Sequence, residues 1–350
     1  PGCPVPGGPV IVLCIATFLA AFLLTFLLTP LARWAALRWN ILDHPRTAVK
    51  THKEPVPYLG GLAIYAGIAG ALLSLRWATH FPTGTLRSLR GLLLGGALMA
   101  VLGLIDDTKK PNGLSVTTKL LFQFAAAALL IHFDIRIHFI EPEWDAVLRA
   151  ALWVAGISNA INLIDIMDGL AASQAVAVSM GFLLISIPSE HVYVNVAAAA
   201  VAGAALAFIP HNMSRRRKIF MGDTGSLMLG LLLAGLSLGT SYTRLSEIGV
   251  FAPLLILGVP VYDTLFVSVM RLKQGKSPFM GSKDHLAQKL RAKGFTTEQV
   301  VLSFVAATGA LSSCAYLLTL TPFVFSLGIV VAAVLVGIIL MVALHDVVVH

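Results

Sequence analysis

The stretch NAINLIDIMDGLAAS, Asn159 to Ser173, sets two carboxamides and two carboxylates, Asn159, Asn162, Asp165 and Asp168, close together in an otherwise oily chain. Asn162, Asp165 and Asp168 are spaced i, i+3, i+6, which on a helix lines one slowly drifting face. Oxygen-bearing side chains so arranged suit Mg²⁺, or the hydroxyls and base of a nucleotide. A hydrogen-bond network between helices uses the same residue types. Two more acidic motifs accompany it. GLIDD ends on Asp106 and Asp107. Neighbouring helical positions point about 100° apart, so these two carboxylates cannot share one job. One can hold a metal while the other meets a second substrate, and Lys109, Lys110 and Lys119 follow as cations able to neutralise phosphate. KIFMGDTGSLMLG then places Asp223 between Gly222 and Gly225 at the mouth of an apolar segment. There a new helix start offers N–H groups to an anion, and Asp223 can hold Mg²⁺.

Two basic segments complete the set. VKTHKEPVPYLGGLAIY carries Lys50, His52 and Lys53 ahead of a proline turn, a cation cluster able to hold a lipid phosphate. GKSPFMGSKDHLAQKLRAKGF carries Lys283, Asp284 and His285 before a short amphipathic helix around Leu286 and Leu290, and His285 can reach a diphosphate. The chain has no GxxxxGK[ST] phosphate loop.

The elements that must position these residues are membrane spans. Of 350 residues, 57% are hydrophobic and only 12% charged, and mean hydropathy is +0.85. Soluble domains average about 45–50% apolar and about 25% charged. Apolar runs near the roughly 20 residues a bilayer needs fall at 9–29, 59–76, 91–105, 117–133, 147–164, 169–187, 192–210, 226–242, 249–269, 300–319 and 322–344. The first is too long for the core of a signal peptide and is read as a span. The expectation is one all-α polytopic domain over 1–350, a bundle of 10–11 spans with the motifs between about 30 and 295. With the N-terminus outside, 19 of the 25 Lys and Arg residues fall in inward loops, which sets the topology. Every motif aspartate then lies at the cytoplasmic side of the membrane, and the formal charge of +8 is mainly a topology signal met by anionic lipid. HFDIRIHFIEPEW, on the outer side, alternates Ile135, Ile137 and Phe139 with Arg136 and His138, the periodicity of a small β-hairpin. Cys3, Cys14 and Cys314 form no CxxC and read as small buried hydrophobes.

Taken in order, HKEPVPYLGG, GLIDD with Lys119 after it, NLIDIMDGLA, IFMGDTGS and the basic loop with His285 give a chain that resembles the polyprenyl-phosphate N-acetylhexosamine-1-phosphate transferases. The resemblance implies a Mg²⁺-dependent membrane enzyme, Mn²⁺ serving as a substitute. The phosphate of a polyprenyl lipid such as undecaprenyl phosphate displaces UMP from a UDP-sugar, a first step in cell-envelope polysaccharide synthesis. It implies Asp106, Asp107 and Asp223 as catalytic residues, with Asp223, Asp107 and Asn162 on the metal. Asn162, Asp165, Asp168, Asn212 and His285 fall to the nucleotide and sugar, and Lys50, Lys53 and Lys119 to the lipid phosphate. Partners are that lipid, the UDP-sugar and membrane lipids, with no nucleic acid, and members of this family often form homodimers. Two departures stand out. HNMSRRRKIFMGD lacks the usual proline–alanine step, and KDHLAQKL has one histidine where a cluster is common, with Gln288 and Lys289 in the second position. The absent histidine triplet and PVPYLGG point to UDP-N-acetylglucosamine rather than UDP-muramoyl-pentapeptide. A transporter would place its carboxylates near mid-membrane, and the CDP-alcohol phosphotransferases need an arginine that DGLAAS lacks.

Overall fold

A computed structural model describes residues 8–44, 54–78, 84–110, 113–189, 192–240, 242, 247–277 and 282–347. Long apolar runs close their own backbone hydrogen bonds as helices, since a bilayer offers the backbone no other partner. They are α1 (Gly8–Arg38), α2 (Gly60–Ala78), α3 (Thr85–Thr108), α4 (Val116–His132), α5 (Glu143–Ile164), α6 (Leu170–Ser186), α7 (Val192–Asn212) and α8 (Gly222–Gly239). A broken pair follows, α9 (Ala252–Ile256) and α10 (Gly258–Lys273), then α11 (Leu286–Ala292), α12 (Thr297–Leu320) and α13 (Phe323–Leu344). Among the described residues, eight helices are long and apolar enough to cross a membrane. α4 and α6 are shorter, at 17 residues each, and the stretch from Ile248 to Lys273 bends by 74° at its break. These helices occupy the eleven stretches read from the sequence, so the all-α polytopic bundle holds.

Helix ends are set locally. Ser115 caps α4 by accepting from Thr118 N at 3.1 Å. Thr296 and Gln299 form a reciprocal capping box on α12. Gly169, with φ +77, breaks the chain between α5 and α6, so Asp165 and Asp168 lie in a turn rather than on a continued helical face.

α7 and α8 form the centre. The alanine-rich α7 packs along α1 and α6, and α8 along α3 and α5. Small residues let backbones approach. A Cβ at Gly103 of α3 would lie 2.3 Å from Thr224 N of α8, and one at Gly61 of α2 would lie 2.2 Å from Gly225 N. α13 is peripheral, burying only Ser326 and Leu344.

The expected hairpin at His132–Trp144 does not form. The chain turns at Asp134, with φ +67, and Ile135 N returns to Leu130 O at 3.0 Å. Ile135 is buried while Arg136 pairs with Asp134 and Glu143, and α5 begins before a second strand can. The alternation thus records one inward residue and one ion-paired residue. A two-residue strand pair occurs elsewhere, Leu42–Asp43 antiparallel to Val56–Pro57. It stitches two motifs together: Phe220 N donates to Pro57 O at 2.9 Å, and Gly60 N and Gly61 N donate to Phe220 O and Met221 O, each at 3.0 Å.

Candidate active site

Three helix ends meet at one end of the bundle. Asp106 and Asp107 close α3, Lys119 opens α4 and Asp223 opens α8. One oxygen from each of Asp106, Asp107 and Asp223 lies within 4.8 Å of the others. Lys119 Nζ bridges Asp106 Oδ2 at 2.9 Å and Asp223 Oδ2 at 2.8 Å. Lys110 Nζ bridges Asp107 Oδ1 at 2.8 Å and Asp223 Oδ1 at 3.2 Å, and sits 4.6 Å from the ring centroid of Tyr58. Burial alone would lower Lys110, but Asp223 and Asp107 outweigh it and hold the ammonium above its ordinary range.

The aspartate pair divides its work as the 100° separation requires. Asp106 Oδ1 accepts from Leu114 N at 2.6 Å, fixing the turn that leads to Lys119. Asp107 faces α8. Its Oδ1 accepts from Asp223 N at 3.1 Å, and its Oδ2 from Thr224 N at 3.0 Å and Thr224 Oγ1 at 2.7 Å. The N–H groups at the start of α8, expected to be open to an anion, are therefore partly occupied by a carboxylate of the same chain. Gly222 makes the approach possible: its φ is +67, and a Cβ there would lie 2.3 Å from Asp107 Oδ2.

The other predicted residues separate into near and far. Asn162 Nδ2 donates to Ser226 Oγ at 2.9 Å, on the first turn of α8. Asp165 ends α5; burial first, and then the Asp223 carboxylate, push it up to about 7. Asp168 pairs with Lys218. Asn212 is buried, and its carboxamide is spent on backbone, accepting from Gly169 N at 2.6 Å and donating to Ile219 O at 3.0 Å. It braces the turn after α5 against the segment before α8. Asn159 pairs with Gln123 through both amide groups, at 2.8 and 3.1 Å, and is structural. His285 lies at the start of α11, bonded to Asp263 of α10 rather than to the acidic cluster. Lys50 and Lys53, with His52, fall outside the described residues. Lys289, in the place of a second histidine, is buried and donates to the carbonyls of His345 and Val347.

Asp263 is a side chain to which the sequence alone assigns no role, and Lys110, expected only to neutralise phosphate, bridges two of the aspartates. Lys110 carried a signal, three residues after Asp107 on the same helical side. So did Asp263, a carboxylate inside an apolar stretch.

The donor set at the cluster is all oxygen, three carboxylates converging within ion-binding distance of one another, with the Thr224 hydroxyl bonded to Asp107. That set fits a small hard dication. Asp223 is the most open of the three, its side chain 16% exposed against 2% for Asp106.

Residues 89–241 match glycosyl transferase family 4. The chain is 30% identical over 301 residues to the probable undecaprenyl-phosphate N-acetylglucosaminyl 1-phosphate transferase of Bacillus subtilis, covering 83% of this chain and 81% of that protein. It is 30% identical over 318 residues to the decaprenyl-phosphate N-acetylglucosaminephosphotransferase of Mycobacterium tuberculosis, covering 80% and 78%. It is 26% identical over 308 residues to the undecaprenyl-phosphate alpha-N-acetylglucosaminyl 1-phosphate transferase of Escherichia coli, covering 84% and 80%.

Proposed function

The chain belongs to the polyprenyl-phosphate N-acetylhexosamine-1-phosphate transferases of glycosyl transferase family 4, and from that premise we propose that it transfers N-acetylglucosamine 1-phosphate from UDP-N-acetylglucosamine to a polyprenyl phosphate. An oxygen of the lipid phosphate attacks the phosphorus that bears the sugar. The bond to the UMP phosphate breaks, and UMP leaves with the electron pair. The products are polyprenyl-diphosphate-N-acetylglucosamine and UMP.

The observation that carries this reading is the convergence of Asp106, Asp107 and Asp223 with two lysines at one end of an apolar bundle. A lipid acceptor needs a site at the membrane edge, and a diphosphate donor needs cations. Lys110 and Lys119 supply two ammonium groups against the incoming phosphates. Asp223 holds both lysines in place, and Asp106 and Asp107 anchor them from the other side. The lipid phosphate is already an anion, so the protein must supply alignment and charge neutralisation rather than proton removal. Asp223, with Asp106 and Asp107, would hold Mg²⁺, which when bound would supply charge neutralisation for the diphosphate. Asn162 and Asp165 border that place and are assigned to the nucleotide-sugar. The bias of basic residues supports a cytoplasmic position for this end of the bundle in the cell membrane.

The test is UMP release from purified protein in detergent, supplied with undecaprenyl phosphate, Mg²⁺ and, separately, UDP-N-acetylglucosamine, UDP-N-acetylgalactosamine and UDP-muramoyl-pentapeptide. The expected result is release that requires both lipid and metal and is fastest with UDP-N-acetylglucosamine. Release without lipid, or none with any donor, overturns the assignment.

A further inference from the structure

Away from the acidic cluster, a buried ionisable pair is held by hydrogen bonds. Asp263 of α10 is 1% exposed and His285, the residue before α11, is 2% exposed. Asp263 Oδ2 lies 2.7 Å from His285 Nδ1, and Asp263 Oδ1 accepts from Leu286 N at 2.8 Å. The two carboxylate oxygens therefore act separately, one orienting the ring and the other fixing the backbone beside it. An ionised carboxylate can only accept, so with Asp263 ionised the proton between the two groups sits on Nδ1. Among the described residues Nε2 has no hydrogen-bond partner. One turn on, Lys289 ties α11 to the end of α13 through His345 O at 3.1 Å and Val347 O at 2.9 Å. The segment that carries the ring is thus held at both ends, and a ring held this way presents one nitrogen in one direction.

We propose that Asp263 is a positioning residue: it holds His285 as the Nδ1–H tautomer, so that Nε2 offers a lone pair to a hydroxyl or N–H of the donor's sugar. This rests on the transferase reading above. A lone pair repels diphosphate oxygens, so the sugar and not the diphosphate is the partner.

The experiment has a spectroscopic and a kinetic arm. In ¹⁵N-histidine-labelled protein in micelles, the His285 signal is assigned by its loss in His285→Gln. The wild-type ring is expected to be neutral and protonated at Nδ1, and in Asp263→Asn the proton moves to Nε2, because the amide N–H then faces Nδ1. In kinetics, Asp263→Asn raises KM for UDP-N-acetylglucosamine about tenfold, the size of one lost hydrogen bond. It leaves inhibition by UDP, which lacks the sugar, unchanged, adds nothing in the His285→Gln background, and is partly rescued by Asp263→Glu. A wild-type ring that is charged or protonated at Nε2 alone overturns the proposal. So does an equal loss of UDP affinity, which would place Nε2 on the diphosphate, or additive losses in the double variant. Should Asp263→Asn fail to fold, the protonation of the wild-type ring decides. Failure of the transferase reading is seen separately, as wild-type protein that releases no UMP although its ring carries the expected tautomer.

Discussion

Asp107 caps a helix to which it does not belong: its Oδ2 accepts from both Thr224 N and Thr224 Oγ1 at the start of α8, at 3.0 and 2.7 Å. One carboxylate thereby fixes the register between α3 and α8, and with it the position of Asp223. In Asp107→Asn an amide N–H would face donors at one oxygen position. That variant is expected to melt lower in detergent and to lose UMP release by at least about a hundredfold, as removal of a pre-placed charge does. Thr224→Val removes one hydroxyl bond, costing about 1 kcal/mol, and should keep turnover within about tenfold. Melting curves alongside UMP release check both.

Among the described residues, Asp223 is the only carboxylate that touches both lysines. Asp223→Asn should abolish Mg²⁺-dependent turnover and the rise in melting temperature on moving from EDTA to Mg²⁺. A variant that still gains stability from Mg²⁺ as wild type does would remove Asp223 from the metal site.

Lys110 neutralises Asp107 and Asp223 from within. Lys110→Met leaves buried carboxylates short of a cation, which is costly. Its melting temperature in EDTA should fall, and Mg²⁺ should restore more of it than in wild type, because the dication no longer competes with an ammonium. Melting in EDTA and across a Mg²⁺ titration reads this directly.

Asp165 gives a pH dependence with a defined sign. Its carboxyl, raised by burial and by Asp223 to about 7 in the folded protein, ionises near 4 when unfolded. As pH rises from about 4 the unfolded chain gives up that proton first, so metal-free stability is lost progressively up to about pH 7 and then levels. Asp165→Asn should flatten that fall, seen as melting temperatures in EDTA between pH 5.5 and 8.5 that converge towards one value.

Gly103 lets α3 touch the backbone of Asp223 and Thr224. Gly103→Ala should cost about 1–3 kcal/mol through overpacking and displace Asp223, lowering both melting temperature and turnover. At Gly309 of α12 nothing lies within 4 Å of the added carbon. Gly309→Ala should therefore be neutral or slightly stabilising, since alanine is the better helix former.

The architecture was legible because a bilayer imposes one rule on every span, and apolar runs of sufficient length report it. The cluster was legible for the complementary reason: Asp106, Asp107 and Asp223 are too costly beside lipid to be incidental. What stayed hidden depends on partners far away in sequence. Nothing near Asp107 announces that it will cap α8, more than a hundred residues on. Nothing near Asn212 reveals that its amide is spent on Gly169 and Ile219. Alternation around Ile135 looked like a strand because period two is all a sequence shows. Whether a ladder follows depends on a second strand, and α5 begins too soon for one.

The α3–α8 contact ties the chemistry to the fold. α8 is buried almost from end to end, and the first turn that carries Asp223 is bolted through Asp107 to another central helix. The acidic cluster is therefore not assembled by a closing loop. Its backbone amides, those of Asp223 and Thr224, should exchange with solvent deuterium only when the whole bundle opens. Heat inactivation and unfolding of this protein then follow a single curve.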